Sequence, residues 1–162
     1  MFFEALWQAG LAEYDDFKGI AWHWQSIDGA MMKAPLAREA VGLNPTERGK
    51  NGSKRHLLVD GSGVPLSFIV TGANRPDVTQ LQAVLKAVMV KKPSPADADK
   101  HLCADAAYTG ASALRIMAEQ GYIAHVKGRA QEAAELQRDP AKKARRGCLK
   151  YRKVGSTSFA TC

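Results

Sequence analysis

The sequence predicts an α/β fold in which a mixed sheet of about five strands carries helices on its faces. First, three β-rich segments open the fold, and the turn Gly61–Ser62–Gly63 joins the second to the third as a hairpin. Second, helices and strands alternate after that hairpin, a succession typical of a mixed α/β sheet. Third, the chain has 162 residues, 46% of them hydrophobic, which is enough for one domain with a sizeable core.

Each element is predicted from its hydrophobic spacing and from the residues that bound it. Phe3, Leu6 and Leu11 recur at helical spacing near the start. Asp77 is expected to be the N-cap of the second helix, with Gln80 three residues later as in a capping box. The predicted helices span 2–13, 78–90 and 111–120, the predicted strands span 19–27, 54–60, 64–72, 100–104 and 122–126, and 29–53 is predicted to be a loop.

The charge balance favours a polyanionic partner. The chain has 23 basic and 16 acidic residues, a net charge of +7 and a pI near 9.5. Three cysteines, an odd number without CxxC spacing, indicate neither a disulfide framework nor a zinc site, and they favour a reducing cytoplasm. No apolar run reaches the ~18 residues that a membrane span needs.

Basic residues gather in two clusters. One lies in ERGKNGSKRH and comprises Arg48, Lys50, Lys54 and Arg55, and the other lies in AKKARR and comprises Lys142, Lys143, Arg145 and Arg146. Such clusters bind phosphates in some proteins and form solvated surface in others. The residue types alone are equally compatible with both interpretations.

Two aspartates follow predicted strands and could share divalent cations. Asp28 ends the first strand and Asp105 ends the fourth, and sites in α/β sheets gather at strand ends. Magnesium prefers hard oxygen ligands such as carboxylates, and two ions together can drive phosphodiester chemistry. An aspartate before glycine is also a common turn former. Asp60 serves as the comparison, because it precedes a glycine in the hairpin turn and is expected to be purely structural.

The aromatic and imidazole side chains give weaker signals. Trp22 and Trp24 could stack bases, but tryptophans in strands are expected to lie in the core. His23 is expected to be a hydrogen-bonded strand residue, whereas His101 and His125 are too isolated in the sequence to indicate a role.

Three stretches carry a resemblance to a known family. WQSIDGAMMKAP, GKNGSKRHLLVDGSGVPLSFIVTGANRPD and CADAAYTG resemble, in order, motifs of bacterial insertion-sequence transposases of the DDE type, whose catalytic domain is RNase H-like. The resemblance runs from about residue 3 to about residue 146. It implies metal-dependent DNA strand cleavage and transfer at the terminal inverted repeats of a mobile element. A homo-oligomer in the bacterial cytoplasm is compatible with it.

The resemblance also implies roles for individual residues. Asp28 and Asp105 match two of the family's three catalytic carboxylates, which would coordinate Mg²⁺ or Mn²⁺ in a two-metal site. The loop before the family's second strand is similar to GKNGSKRH, so Lys50, Lys54 and Arg55 are expected to contact the DNA backbone. Tyr108 and Gly110 match positions where a supporting role is expected.

The chain departs from the family pattern at both ends. Residues 1–146 are interpreted as the catalytic domain without the family's N-terminal DNA-binding region, and 147–162 as an aberrant tail. The third acid should follow residue 146 in a pattern like Glu-x4-Trp-x-Asn-x4-Leu, but the tail GCLKYRKVGSTSFATC contains no acid. Glu132 and Glu135 are imperfect substitutes.

A shifted reading frame is our hypothesis for the tail. Starting at the third base of the Gly147 codon, permitted codons can spell Val-Phe-Glu-Val-Ser-Gln-Ser-Trp-Phe-Asn-Gln-Leu-Arg-Asn-Leu. The Glu and Trp then fall at the family's spacing, so the nucleotide sequence decides the matter. The chain is expected to be a catalytically impaired transposase domain. The alternatives are a non-catalytic DNA-binding or dimerising fragment that modulates full-length transposase, and an unrelated RNase H-like nuclease.

Overall fold

The fold follows from a computed structural model, which describes residues 2–34, 39–45, 48–94, 99–126 and 128. Within those residues a six-stranded sheet is accompanied by three α-helices and one short 3₁₀ turn. In chain order the elements are α1 (Phe2–Phe17), β1 (Trp24–Lys33), β2 (Gly42–Leu43), β3 (Asn51–Asp60), β4 (Pro65–Gly72), α2 (Asp77–Lys86), β5 (Lys100–Ala104), the 3₁₀ turn (Ala106–Tyr108), α3 (Ala111–Glu119) and β6 (Tyr122–Val126).

The sheet is mixed, as predicted. Strands β1, β3 and β4 pair antiparallel, whereas β1, β5 and β6 pair parallel, so the order across the sheet is β4-β3-β1-β5-β6. The short β2 extends the β4 edge by pairing with the start of β3. Helix α2 connects β4 to β5, and α3 connects β5 to the parallel β6. The predicted mixed sheet is thus confirmed, with three antiparallel strands followed by strands that alternate with helices.

The core lies on the face of the sheet that α2 and α3 cover. Ile27 of β1 and Leu58 of β3 are paired and point toward these helices, because alternate strand residues share a face. Leu81 and Leu85 of α2 and Met117 of α3 close over them and are fully buried. The buried ring of Tyr108 belongs to the same cluster, which ties the segment after β5 to the core.

The first strand lies further along the chain than its spacing predicts. Residues 20–22 form a turn in which the Trp22 amide donates to the Ile20 carbonyl, and Ile20 inserts into the core. β1 then continues to Lys33 because β3 offers an antiparallel partner as far as Gly52. Asp28 therefore lies within a long strand, not at its end. The prediction of a loop over 29–53 was wrong for both flanking strand segments.

Among the described residues, the helices are too short or too polar to cross a membrane.

Candidate active site

The parallel pairing of β1 and β5 aligns the two predicted aspartates. Ser26 pairs with Cys103, and continuing that register by two residues sets Asp28 level with Asp105. Adjacent strands lie about 4.8 Å apart, and residues two apart share a face. Asp28 is thus held on a strand, and Asp105 directly follows β5 as predicted. Both side chains are exposed.

Local hydrogen bonds orient both carboxylates. Asp28 Oδ1 accepts from the Gly29 amide at 2.8 Å. Asp105 is the N-cap of the 3₁₀ turn, and its Oδ1 accepts from the Ala107 amide at 2.9 Å. Asp105 thereby satisfies a backbone N–H that the turn leaves without a partner, a common use of aspartate.

Tyr108 ends the 3₁₀ turn that Asp105 caps, and its side chain is buried. Burial raises the pKa of Tyr108 far above its usual value, and the charges of Asp77, Asp105 and Asp28 raise it further. Within the described part of the chain, Tyr108 Oη has no hydrogen-bond partner although the side chain is buried. The tyrosine therefore stays neutral at ordinary pH.

Asp77 belongs to a buried polar network next to β1, and its prediction as an N-cap was wrong. Pro76 is the N-cap of α2, with no side-chain cap, because the Asp77 carboxylate faces the sheet. Asp77 Oδ2 accepts from Lys54 Nζ at 3.1 Å, and Asp77 Oδ1 lies 3.4 Å from His56 Nδ1. The pKa of His56 is lowered, mainly because the side chain is buried, so the imidazole is neutral at pH 7.

Gly29 lies where the Asp77 carboxylate packs against β1. A Cβ at position 29 would lie 2.0 Å from Asp77 Oδ1 and 2.9 Å from its Cγ, far inside van der Waals contact. The glycine after Asp28 is thus required by packing against Asp77. The sequence signal for this contact was present, since GANRPD was part of the quoted resemblance, but local capping rules gave Asp77 a different role.

The first basic cluster divides between the two faces of β3. Lys54 is buried and donates to the Arg75 carbonyl as well as to Asp77, so its charge is used within the chain. Arg55 is exposed and pairs with Ala30, two residues beyond Asp28 on the same strand face. Arg48 and Lys50 are exposed in the preceding loop. Lys142, Lys143, Arg145 and Arg146 lie outside the described residues, as do Glu132, Glu135 and the tail 147–162.

Asp60 has the purely structural role that was predicted for it. Its Oδ1 accepts from the amides of Ser62 and Val64, and its Oδ2 accepts from the amide of Ala21. The side chain is buried and holds the β3–β4 turn against the segment before β1. An aspartate before glycine therefore serves turn geometry here, in contrast to the exposed Asp28.

The donor atoms at Asp28 and Asp105 suit a hard divalent cation. Carboxylate oxygens are the ligands that Mg²⁺ and Mn²⁺ prefer, and Mg²⁺ is usually held by one or two carboxylates plus water and phosphate oxygens. In the described ranges no three His, Cys, Asp or Glu side chains are grouped so as to hold a metal ion. The two aspartates thus fit part of a metal site.

Comparison with known proteins assigns the family. The profile of the transposase DDE domain matches residues 25–158. A protein of Burkholderia cepacia named as the transposase of insertion sequence element IS402 is 49% identical over 51 residues, which cover 32% of this chain and 24% of that protein. The chain thus spans about a quarter of that relative's length in the matched region.

Two solved structures show weaker likenesses. The catalytic domain of Mos1 mariner transposase is 10% identical with a TM-score of 0.47, covering 98% of this chain and 72% of that chain. The Mos1 mariner paired-end complex with Mn is 11% identical with a TM-score of 0.43, covering 75% of this chain and 40% of that chain.

The profile match over most of the chain identifies a transposase domain. More particularly, the chain belongs to the transposase DDE domain family, and its relative in insertion sequence element IS402 confirms the resemblance to bacterial insertion-sequence transposases.

Proposed function

We propose that this chain is the catalytic domain of an insertion-sequence transposase that cleaves and transfers DNA strands at the ends of its element. The β1–β5 register, which when extended by two residues sets Asp28 level with Asp105 just after β5, carries the proposal. Two carboxylates on one face can hold Mg²⁺ or Mn²⁺. When bound, such ions activate the attacking oxygen and stabilise the leaving oxygen of a phosphodiester.

The surrounding residues have separate tasks in this proposal. Asp28 and Asp105 hold the cation, and Tyr108 supports them from the buried side as a neutral hydroxyl. Arg55, exposed on the Asp28 face of β3, contacts a DNA phosphate, joined by Arg48 and Lys50 from the loop before it. Lys54 contributes indirectly, because its ammonium pairs with Asp77.

We further propose that catalysis by this chain is impaired. The family mechanism needs a third carboxylate, and the residues after 146 contain no acid. Two-metal binding is then weak and strand transfer very slow. Replacing 147–162 with the alternative-frame tail that contains Glu and Trp should restore cleavage, whereas a chain that is only a DNA-binding fragment would gain nothing.

The test uses labelled duplexes that carry the inverted repeats of the encoding element, with Mn²⁺ and the restored tail. We expect cleavage at the element end that disappears in Asp28→Asn and in Asp105→Asn but persists in Asp16→Asn, an exposed aspartate of α1. Cleavage that survives both substitutions refutes the assignment. Salt-sensitive binding without any cleavage favours the modulating fragment, and cleavage of RNA–DNA hybrids without preference for element ends favours an RNase H-like nuclease.

The DNA-contact residues are tested by binding alone. Arg55→Ala should weaken binding to all sequences and lower the salt slope by about one. Arg115→Ala is the matched control, because Arg115 is exposed on α3 and pairs with Glu119. If both substitutions weakened DNA binding equally, the basic surface would bind DNA without a preferred path past Arg55.

A further inference from the structure

Three of the four histidines meet around one tryptophan at the β5–β6 side of the sheet. His101 Nδ1 lies 2.8 Å from His125 Nε2, although the two residues are 24 positions apart. Trp24 stacks on His101 with ring centroids 4.5 Å apart and planes at 22°, and its ring lies 4.8 Å from that of His125. The His23 ring is 4.8 Å from the His101 ring.

Register explains why these residues converge. Trp24 pairs with His101 across β1 and β5, and Cys103 pairs with His125 across β5 and β6. His101 and His125 are therefore diagonal neighbours on one face of two parallel strands, within reach of each other's rings. Trp24 is 40% exposed, so its prediction as a core residue was wrong.

The facing nitrogens are the strongest chemical feature of this group. A neutral imidazole has one N–H and one lone pair, so one proton lies between His101 Nδ1 and His125 Nε2. A cation bound by two imidazoles at the usual 2.0–2.1 Å would need those nitrogens about 2.8–3.4 Å apart for bond angles of 90–109°. The observed 2.8 Å lies at the short end of that span.

The third histidine is oriented differently. His23 Nδ1 lies 3.2 Å from the Asp99 carbonyl oxygen, which fixes its ring next to the pair. The described residues hold no group of three ligands arranged for one metal ion, so water would complete the coordination shell. His23 thus provides a matched control histidine in the same environment.

We propose that His101 and His125 form a two-imidazole binding site for a borderline divalent transition-metal cation, such as Zn²⁺, Ni²⁺ or Cu²⁺. Imidazole suits these cations, whereas Mg²⁺ prefers oxygen ligands, so the site is chemically distinct from Asp28 and Asp105. A bound ion replaces the shared proton and links β5 to β6, which is the last strand in the described sheet order. The proposal does not depend on whether the chain cleaves DNA.

Trp24 supplies a direct reporter for the test. A chain purified without a polyhistidine tag is titrated with Ni²⁺ or Cu²⁺, which quench a tryptophan in contact with their ligands. Calorimetry with Zn²⁺ measures the affinity independently of quenching, and Zn²⁺ is also added as a competitor in the quenching assay. We expect saturable quenching that Zn²⁺ reverses and that excess Mg²⁺ leaves unchanged. Trp24→Phe should abolish the quenching while the calorimetric affinity for Zn²⁺ stays the same.

The ligand variants decide the matter. His101→Asn and His125→Asn should each weaken Ni²⁺ binding about tenfold or more, because the second imidazole then no longer acts at high effective concentration. His23→Asn and Asp28→Asn should leave the affinity within about twofold of the unaltered chain, on the same chelate argument. His125 is exposed, and far-UV circular dichroism checks that each variant is folded. Unchanged affinity in either ligand variant, or an equal loss in His23→Asn, overturns the proposal and leaves a plain histidine–histidine hydrogen bond.

Discussion

Replacing Gly29 with alanine should destabilise the fold through a single contact. The new Cβ would lie 2.0 Å from Asp77 Oδ1, so the carboxylate must move by more than 1 Å to reach an ordinary contact. Asp77 cannot move freely, because its other oxygen accepts from the buried Lys54 ammonium at 3.1 Å. The substitution therefore costs both overpacking and a charge-assisted hydrogen bond.

The expected magnitude follows from these two terms. Overpacking costs about 1–3 kcal/mol, and a hydrogen bond to a charged group contributes about 1.5–3 kcal/mol. Alanine in place of glycine within a strand returns about 0.5–1 kcal/mol. We expect a net loss of about 1.5–5.5 kcal/mol in unfolding free energy, or roughly 3–22 °C in Tm for a chain of this size. Urea unfolding followed by circular dichroism measures it.

Two controls isolate the Asp77 contact. Gly10→Ala lies in α1 with nothing within 4 Å of its Cβ, so the same substitution there should stabilise the chain by about 0.5–1 kcal/mol. In an Asp77→Ala background, Gly29→Ala should no longer cost stability and should return about 0.5–1 kcal/mol, because the next atom, His56 Nδ1, is at an ordinary 3.5 Å. If Gly29→Ala costs the same with and without Asp77, the packing argument is refuted.

Three further predictions follow from buried polar groups. Lys54→Met should cost about 1–3 kcal/mol by leaving the Asp77 carboxylate without its cation, whereas Arg55→Met, at an exposed neighbouring position, should change stability by less than about 0.5 kcal/mol in the same urea assay. Asp60→Ala should cost about 2–4 kcal/mol, since three backbone amides lose their acceptor, and a loss below about 1 kcal/mol would contradict that role. Burial raises the pKa of Tyr122 to about 12, so stability should be intact below pH 10 and fall by about 2–3 kcal/mol toward pH 12, where the unfolded phenol ionises first. Tyr122→Phe should remove only its own share of the alkaline fall, because the buried Tyr108 contributes a second share, and it also loses the bond to Gln25. An unchanged alkaline fall in Tyr122→Phe would contradict this prediction.

The elements that were predicted well are those whose ends are set by neighbouring residues in the sequence. β5 and β6 lie at the predicted 100–104 and 122–126, because short apolar runs there are bounded by polar or glycine-containing breaks. The position of β1 was not predictable from its own residues. The apolar side chain of Ile20 packs in the core although Ile20 does not belong to a strand. Strand β1 extends to Lys33 only because β3 pairs with it, and the paired segments are about 20 residues apart in the sequence.

The histidine group illustrates a second kind of failure. His23, His101 and His125 have no spacing that indicates a site, since they come from three different segments. They meet only because β1, β5 and β6 are neighbours in a parallel register. Asp28 and Asp105 are separated just as widely, but the surrounding motifs resembled a known family, so their pairing could be expected.

The basic cluster shows how strand geometry changes the meaning of a charge run. Lys54 and Arg55 are adjacent in the sequence and were expected to act together on DNA. Consecutive strand residues point to opposite faces, so Lys54 turns inward to Asp77 while Arg55 stays exposed on the face of Asp28. One cation therefore neutralises the carboxylate that packs on Gly29, and the other is available to a phosphate beside the aspartates. Removing the charge at position 54 should therefore lower stability. Removing the charge at position 55 should lower salt-dependent DNA affinity instead, so the two neighbouring cations have different roles.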